Sequence, residues 1–139
     1  MTDTERSVAL ERTDKAKFHV TNVRGGTLEI GEGQDADFTP VELLLVAIAG
    51  CSGITVDQLT SKRVEPDAFA VSARADKIRD ELGNRLTDIQ VTFDITFPDG
   101  PEGDRSRETL PRALAQTHDR LCTVVRTVVN GTPIEERLV

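Results

Sequence analysis

Residues 39–54 read Thr-Pro-Val-Glu-Leu-Leu-Leu-Val-Ala-Ile-Ala-Gly-Cys-Ser-Gly-Ile, and this stretch decides the fold. Thr39 stands at a cap position, Pro40 at the first helical residue and Glu42 three places after the cap, which is a capping box. The Thr39 hydroxyl can accept from the Glu42 amide while the Glu42 carboxylate accepts from the Thr39 amide. Residues 43–54 are apolar or small on every side, so this part of the helix is expected to be buried all round, while a polar patch from Asp57 is expected to bring its second half to solvent. Lys62 and Arg63 suit its C-terminal dipole and Pro66 discourages continuation, giving a helix from about Pro40 to Ser61, roughly 33 Å long. Gly50 and Gly53 each cost such a helix about 1 kcal/mol relative to alanine. That cost implies close approach to the backbone beside Cys51.

Upstream, 7–12, 17–22 and 27–30 read as short strands, with Phe18 and Val20 alternating against polar neighbours. Arg24-Gly25-Gly26 is a turn, and 31–37 is a polar loop rich in glycine and acid. Downstream, Phe69, Val71 and Ala73 alternate in a strand that can run on to Ile78. After a turn at 80–84, Ile89, Val91, Phe93, Ile95 and Phe97 alternate without a break. Together they make a long antiparallel hairpin with one wet face. Residues 98–104 read as a loop. Leu110, Leu114, Thr117 and Leu121 have helical spacing, with Pro111 tolerable near the start. The β-branched run 122–129 fits a helix or a buried strand equally. Asn130-Gly131 is a stop, and 134–139 is a candidate last edge strand. The order βββ–α–ββ–α–β predicts an α+β fold with a largely antiparallel sheet, as one domain over 1–139.

The chain has 139 residues and a net charge of −7, from 17 Lys+Arg and 24 Asp+Glu. An acidic chain is poorly suited to a nucleic-acid backbone or an anionic membrane as main partner. The longest mainly apolar run, 43–51, is about half of the ~20 residues a membrane span needs, and the charged N-terminus lacks the apolar segment of a secretory signal. The cytoplasm is the expected compartment. Two cysteines and two histidines, without a CxxC or a Cys/His cluster, predict neither a disulfide scaffold nor a metal site. With no Trp or Tyr and five Phe, flat cofactors find few rings to stack on.

Five residues are candidates for chemistry. Cys51 lies among small neighbours in the helix, where a packing role as a small hydrophobe is equally consistent. Glu42 is fully explained by the capping box, and Arg24 by its turn. His118 and Cys122 would share a face if both lay on one helix, an arrangement that can generate a thiolate.

The segment 39–45 followed by Ala47-Ile48-Ala49-Gly50-Cys51-Ser52 resembles the signature helix of the OsmC/Ohr family. His118-Asp119-Arg120-Leu121-Cys122 followed by Asn130-Gly131 resembles that family's downstream cysteine segment. The order of elements agrees from about residue 7 to 139. The resemblance implies an intertwined homodimer, with two long buried central helices enclosed by antiparallel sheets and active sites at the subunit interface. It further implies a thiol peroxidase in oxidative-stress defence, acting on organic hydroperoxides or H2O2. Cys51 would be the peroxidatic cysteine and Cys122 the resolving one. Glu42 would be the assisting carboxylate and Arg24 the assisting cation, with a dithiol or lipoyl-type reductant and no metal or organic cofactor. A guanidinium beside Cys51 would lower its pKa by roughly 1–3 units, with Glu42 holding the arginine in place. Leu44, Ile48 and Ile54 would wall the substrate crevice. Members of the Ohr branch carry the glutamate directly after the proline, where this chain has Val41. The one-residue shift turns the carboxylate by about 100° and matches the broader OsmC-like branch. A dimer binding a small apolar ligand without catalysis, or a thiol redox sensor, is the alternative.

Overall fold

The computed structural model describes residues 4–139. The first three residues of the N-terminal segment, expected to lack a secretory signal, lie outside them. The chain divides into two compact units, one up to Leu44 and one from Leu45 onward.

The first unit is an antiparallel sheet of β1 (Val8–Asp14), β2 (Lys17–Asn22) and β3 (Thr27–Ile30) in the order β1-β2-β3. The register sets Leu10 against Val20 and Val20 against Leu28, so alternate apolar residues share one face. At the β2–β3 turn the Asn22 side-chain oxygen accepts from the amides of Arg24, at 3.0 Å, and Gly26, at 2.9 Å. This closes the turn as short polar side chains commonly do. The acidic loop is tied back to β2 by Lys17, whose ammonium donates to Asp35 at 2.6 Å and to Asp37. Those two hydrogen bonds raise the Lys17 pKa to about 12. The capping box forms as expected: the Thr39 amide donates to the Glu42 carboxylate at 2.8 Å, and the Glu42 amide to the Thr39 hydroxyl at 3.2 Å.

From this cap α1 (Pro40–Thr60) runs for 21 residues. Its burial corrects the sequence reading. Ile48, Ser52, Gly53, Val56 and Thr60 are buried, but Val46 and Ile54 are 51% and 63% exposed, so the helix is not enclosed on all sides. By length and composition α1 could cross a membrane, with a mean hydropathy of 1.6. The small neutral residues around Cys51 extend the apolar run beyond 43–51.

In the second unit β4 (Ala68–Asp80) and β5 (Gly83–Thr96) form the long antiparallel hairpin, closed by Glu81 and Leu82. Phe69, Val71 and Ala73 are half-buried while Ala70, Ser72 and Arg74 are exposed, as the period-2 pattern requires. A bulge between Arg74 and Asp76 breaks the ladder. There Arg74 bridges Asp76 at 2.9 Å and Asp88 at 3.0 Å. Gly53 approaches this hairpin so closely that a Cβ would stand 3.2 Å from a Val71 methyl, whereas a Cβ at Gly50 would meet nothing. One of the two glycines therefore has the packing reason that its helix cost implied.

Helix α2 (Pro101–Gln116) starts inside the segment read as a loop. A Cβ at Gly103 would stand 1.7 Å from the Pro98 carbonyl oxygen, so only glycine admits this return of the chain. Pro111 lies well inside α2 rather than in its first turn. The next five residues, Thr117–Leu121, form a π-helical turn, and α3 (Thr123–Asn130) comes after it. Helix thus wins over strand in the β-branched run, and Gly131 ends α3 at a positive φ of 68°. Residues 132–139 form no regular element, so the last edge strand is absent. The fold is α+β with antiparallel sheets, in the order βββ–α–ββ–α–α.

Candidate functional site

The π-helical turn places Cys122. Its amide donates to the Thr117 carbonyl at 2.9 Å, an i→i+5 closure, and its backbone then turns extended to cap α3. Such insertions occur often at functional sites. The Cys122 side chain is completely buried. Its sulfur accepts from the Val125 amide at 3.4 Å and from the Ser52 hydroxyl of α1 at 3.7 Å. Cys51, half-buried on α1, packs with Val91 and Val124 against the buried cluster of Ile48, Cys122 and Val125. The Cys122 side chain and the amides of Val124 and Thr123 are the neighbours that act on the Cys51 thiol. The first-turn amides of α3 therefore converge on a pair of sulfurs contributed by two segments.

This arrangement divides the two thiols electrostatically. Burial, and then the neighbouring Cys122 side chain, push the Cys51 thiol above its ordinary value, against the pull of the Val124 and Thr123 amides. Burial also disfavours the Cys122 anion, but neighbouring Cys51, the hydrogen bonds from the Val125 amide and Ser52, and the nearby Val124 amide outweigh it. The Cys122 thiol lies below its ordinary value. The expectation of a lowered Cys51 is thus corrected: within its own unit no Lys or Arg figures among the groups acting on it. Cys51 sits mid-helix in α1, yet the N-terminal amides of α3 stand beside it, a contribution the sequence reading missed. The available signal was a cysteine directly before a Thr-Val-Val helix start.

An apolar cavity of about 410 Å3 shares residues with the cysteine cluster, although neither cysteine lines it. Ile48, Val91 and Val125 line it and also pack in the cysteine cluster, and Ser52 lines it while donating to Cys122. Of the three expected walls Ile48 is one. Ile54 instead lines a separate hollow with Val46, Gly50 and Val71, and Leu44 falls in the first unit. His118 is the one ionisable side chain in the cavity lining, and it is exposed. It does not share a helix face with Cys122, because the π-helical turn ends at Leu121 and Cys122 is extended.

Arg24 and Glu42 belong to the first unit and the cysteines to the second. Arg24 is exposed in the β2–β3 turn, Glu42 is engaged in the cap, and among the described residues no ion pair joins them. Within the single chain Glu42 does not hold Arg24; its carboxylate accepts from the Thr39 amide instead. Among the described residues no three His, Cys, Asp or Glu side chains gather as a metal site requires.

A family profile described as OsmC-like protein matches residues 31–137. The chain belongs to the OsmC-like family. Uncharacterized proteins of Mycobacterium bovis and Mycobacterium tuberculosis are 33% identical to this OsmC-like chain over 134 residues, covering 94% of it and 93% of themselves. Among solved structures, a hypothetical protein from Aquifex aeolicus matches with a TM-score of 0.73 at 22% identity, over 92% of this chain and 89% of its own. An OsmC-like protein from Mycoplasma pneumoniae matches at 0.70 and 11% identity, over the same shares of the two chains. An organic hydroperoxide resistance protein OsmC from Legionella pneumophila matches at 0.64 and 12% identity, over 92% and 91%. At these identities the likenesses show the fold.

Proposed function

We propose that this OsmC-like chain is a cysteine peroxidase that reduces organic hydroperoxides in the cytoplasm, as part of oxidative-stress defence. The observation that carries the reading is the Cys51–Cys122 pair, two free thiols packed in one cluster beside an apolar cavity. Family membership and the hydroperoxide resistance protein among the fold neighbours favour a peroxide-related role.

In this reading the peroxide's alkyl group occupies the cavity. Cys51, the more accessible thiol, attacks the distal peroxide oxygen as its thiolate. A sulfur–oxygen bond forms, the O–O bond breaks, and the alkoxide leaves with a proton as alcohol. The Val124 and Thr123 amides oppose the cost of the anion at the moment it forms. Cys122, held nearer its thiolate, then attacks the Cys51 sulfenic acid: the disulfide forms and water leaves. An external dithiol, small or lipoyl-type, returns the two electrons by thiol–disulfide exchange. Glu42 and Arg24 are assisting residues here on motif position alone.

A second copy of the chain completes the assembly. Val46 and Ile54 on α1, Leu28 on β3 and Val8 and Leu10 on β1 are exposed apolar side chains, which a homodimer would cover. The same cavity serves the alternative of an apolar ligand held without turnover. Hydroperoxide consumption driven by dithiothreitol separates them: it is expected in the native protein and lost in Cys51→Ser. Activity unchanged by that substitution refutes the enzyme.

A further inference from the structure

Four cations meet in a hollow of about 210 Å3 between the end of α1 and one face of α2. Lys62 and Arg63 come from the residues just after α1. Arg105 and Arg112 come from α2, where Arg105, Thr109 and Arg112 succeed each other at i, i+4 and i+7 and so share a face. The two sides are fixed to one another: the buried Ser106 hydroxyl donates to the buried Thr60 carbonyl at 2.9 Å.

Among the described residues no carboxylate pairs with any of the four. The remaining arginine on α2, Arg107, has Asp104 as its partner. Glu108 lies within three or four residues of Arg105 and Arg112, yet it neither pairs with them nor lines the hollow. In a chain of net charge −7 this is a local concentration of unneutralised positive charge. The hydroxyls there are already committed as donors, Thr60 to the Val56 carbonyl at 2.9 Å and Thr109 to the Arg105 carbonyl at 2.8 Å. What the hollow offers a ligand is guanidinium and ammonium N–H, in the fork geometry that suits phosphoryl oxygens.

We propose that this hollow is a binding site for a diphosphate group. At pH 7 the terminal phosphoryl group of a diphosphate carries about −1.5 to −2 charges and the inner one about −1, so the group as a whole is near −3 and draws on most of the four cations. The volume is below the roughly 300–1,000 Å3 of sites for drug-sized molecules. Leu59 is its only large apolar lining residue and no aromatic is present, so a nucleobase has nothing to stack on. The site takes free pyrophosphate or the diphosphate end of a larger metabolite whose remainder stays in solvent. It is independent of the peroxidase reading.

Isothermal titration calorimetry on the full chain at low salt tests it, with inorganic pyrophosphate, inorganic phosphate, sulfate and adenosine diphosphate as probes. Saturable binding of one pyrophosphate per chain is expected, at least tenfold tighter than phosphate or sulfate. Arg63→Gln/Arg112→Gln should weaken it at least tenfold with the thermal midpoint kept or raised, since like charges have been removed. Lys77→Gln/Arg79→Gln, which removes two charges on β4, should leave it intact. Equal affinity of adenosine diphosphate assigns the site to the end of an organic diphosphate, and selectivity for pyrophosphate assigns it to the free anion. Pyrophosphate binding no tighter than phosphate, or equal weakening by both double variants, overturns the proposal.

Discussion

Removing the Ser52 hydroxyl isolates what one hydrogen bond does for the buried sulfur of Cys122. The donor lies 3.7 Å from that sulfur, and both side chains are more than nine-tenths buried. Hydrogen bonds to charged groups are worth about 1.5–3 kcal/mol, and a long one to sulfur is taken at about 1 kcal/mol. In Ser52→Ala the Cys122 pKa then rises by about 0.7 units, because one unit corresponds to about 1.4 kcal/mol. Below that pKa the thiolate fraction falls about fivefold. The more basic thiolate is a better nucleophile, and with a Brønsted slope of about 0.4–0.5 it recovers roughly twofold. Disulfide closure should therefore slow two- to threefold, with its pH midpoint displaced upward by about 0.7 units. A rapid-mixing experiment can track the lifetime of the Cys51 sulfenic acid with a sulfenic-acid trap, while peroxide consumption in the first turnover stays near native. Ser52→Thr, which keeps the hydroxyl, should restore the midpoint. An unmoved midpoint in Ser52→Ala refutes the assignment of Ser52 as a group that positions and ionises Cys122.

Other perturbations probe separate parts of the molecule. Arg24→Ala should raise the pH midpoint of the Cys51–peroxide reaction by roughly 1–3 units if its guanidinium reaches Cys51 in the assembled protein; an identical pH profile removes Arg24 from the mechanism. Ile54→Glu, at a position 63% exposed in the single chain, should leave the fold intact and yield monomers in sedimentation, whereas a persistent dimer places the interface elsewhere. Gly103→Ala forces a Cβ onto the Pro98 carbonyl and should cost about 3 kcal/mol, read as a drop of roughly 10 °C in thermal midpoint; a drop under 2 °C contradicts the close approach. Lys17 has a raised pKa, so its tie to Asp35 and Asp37 stabilises fully below pH 10.5 and is lost as pH climbs through about 12. Asp35 has a lowered pKa, so its share is present above pH 3.8 and disappears as pH falls further. Lys17→Met should flatten both limbs of the stability profile, and an unchanged profile excludes the tie.

The elements most legible in the sequence were those whose signals are local. The Thr39–Glu42 capping box and the alternation along 89–97 each fix geometry within a few residues; the box appears as read, and the alternation holds from Val91 to Thr96 while Ile89 is exposed. Helix α1 was legible as a helix but not in its surroundings, because apolarity on all sides states what needs covering and not whether the same chain covers it. The start of α2 was hidden by Pro98, Gly100 and Pro101, which resemble loop residues although proline suits a first helical position. The pairing of Cys51 with Cys122 was available only through family resemblance, since no local spacing links residues so far apart. Burial raising the Cys51 pKa was legible from the apolar helix, but a raised value overall was not, because a guanidinium was expected to outweigh it. The neighbouring thiol that adds to burial is in place only after α3 folds onto α1.

The central claim is that Cys51 and Cys122 act as one redox pair. Its most direct test is non-reducing mass spectrometry of the full chain after one equivalent of an organic hydroperoxide, with peptide mapping. The expected product has lost two hydrogens and carries a Cys51–Cys122 linkage within the same chain. A chain with both thiols intact, or with Cys51 driven to the sulfinic acid while Cys122 stays free, would contradict it.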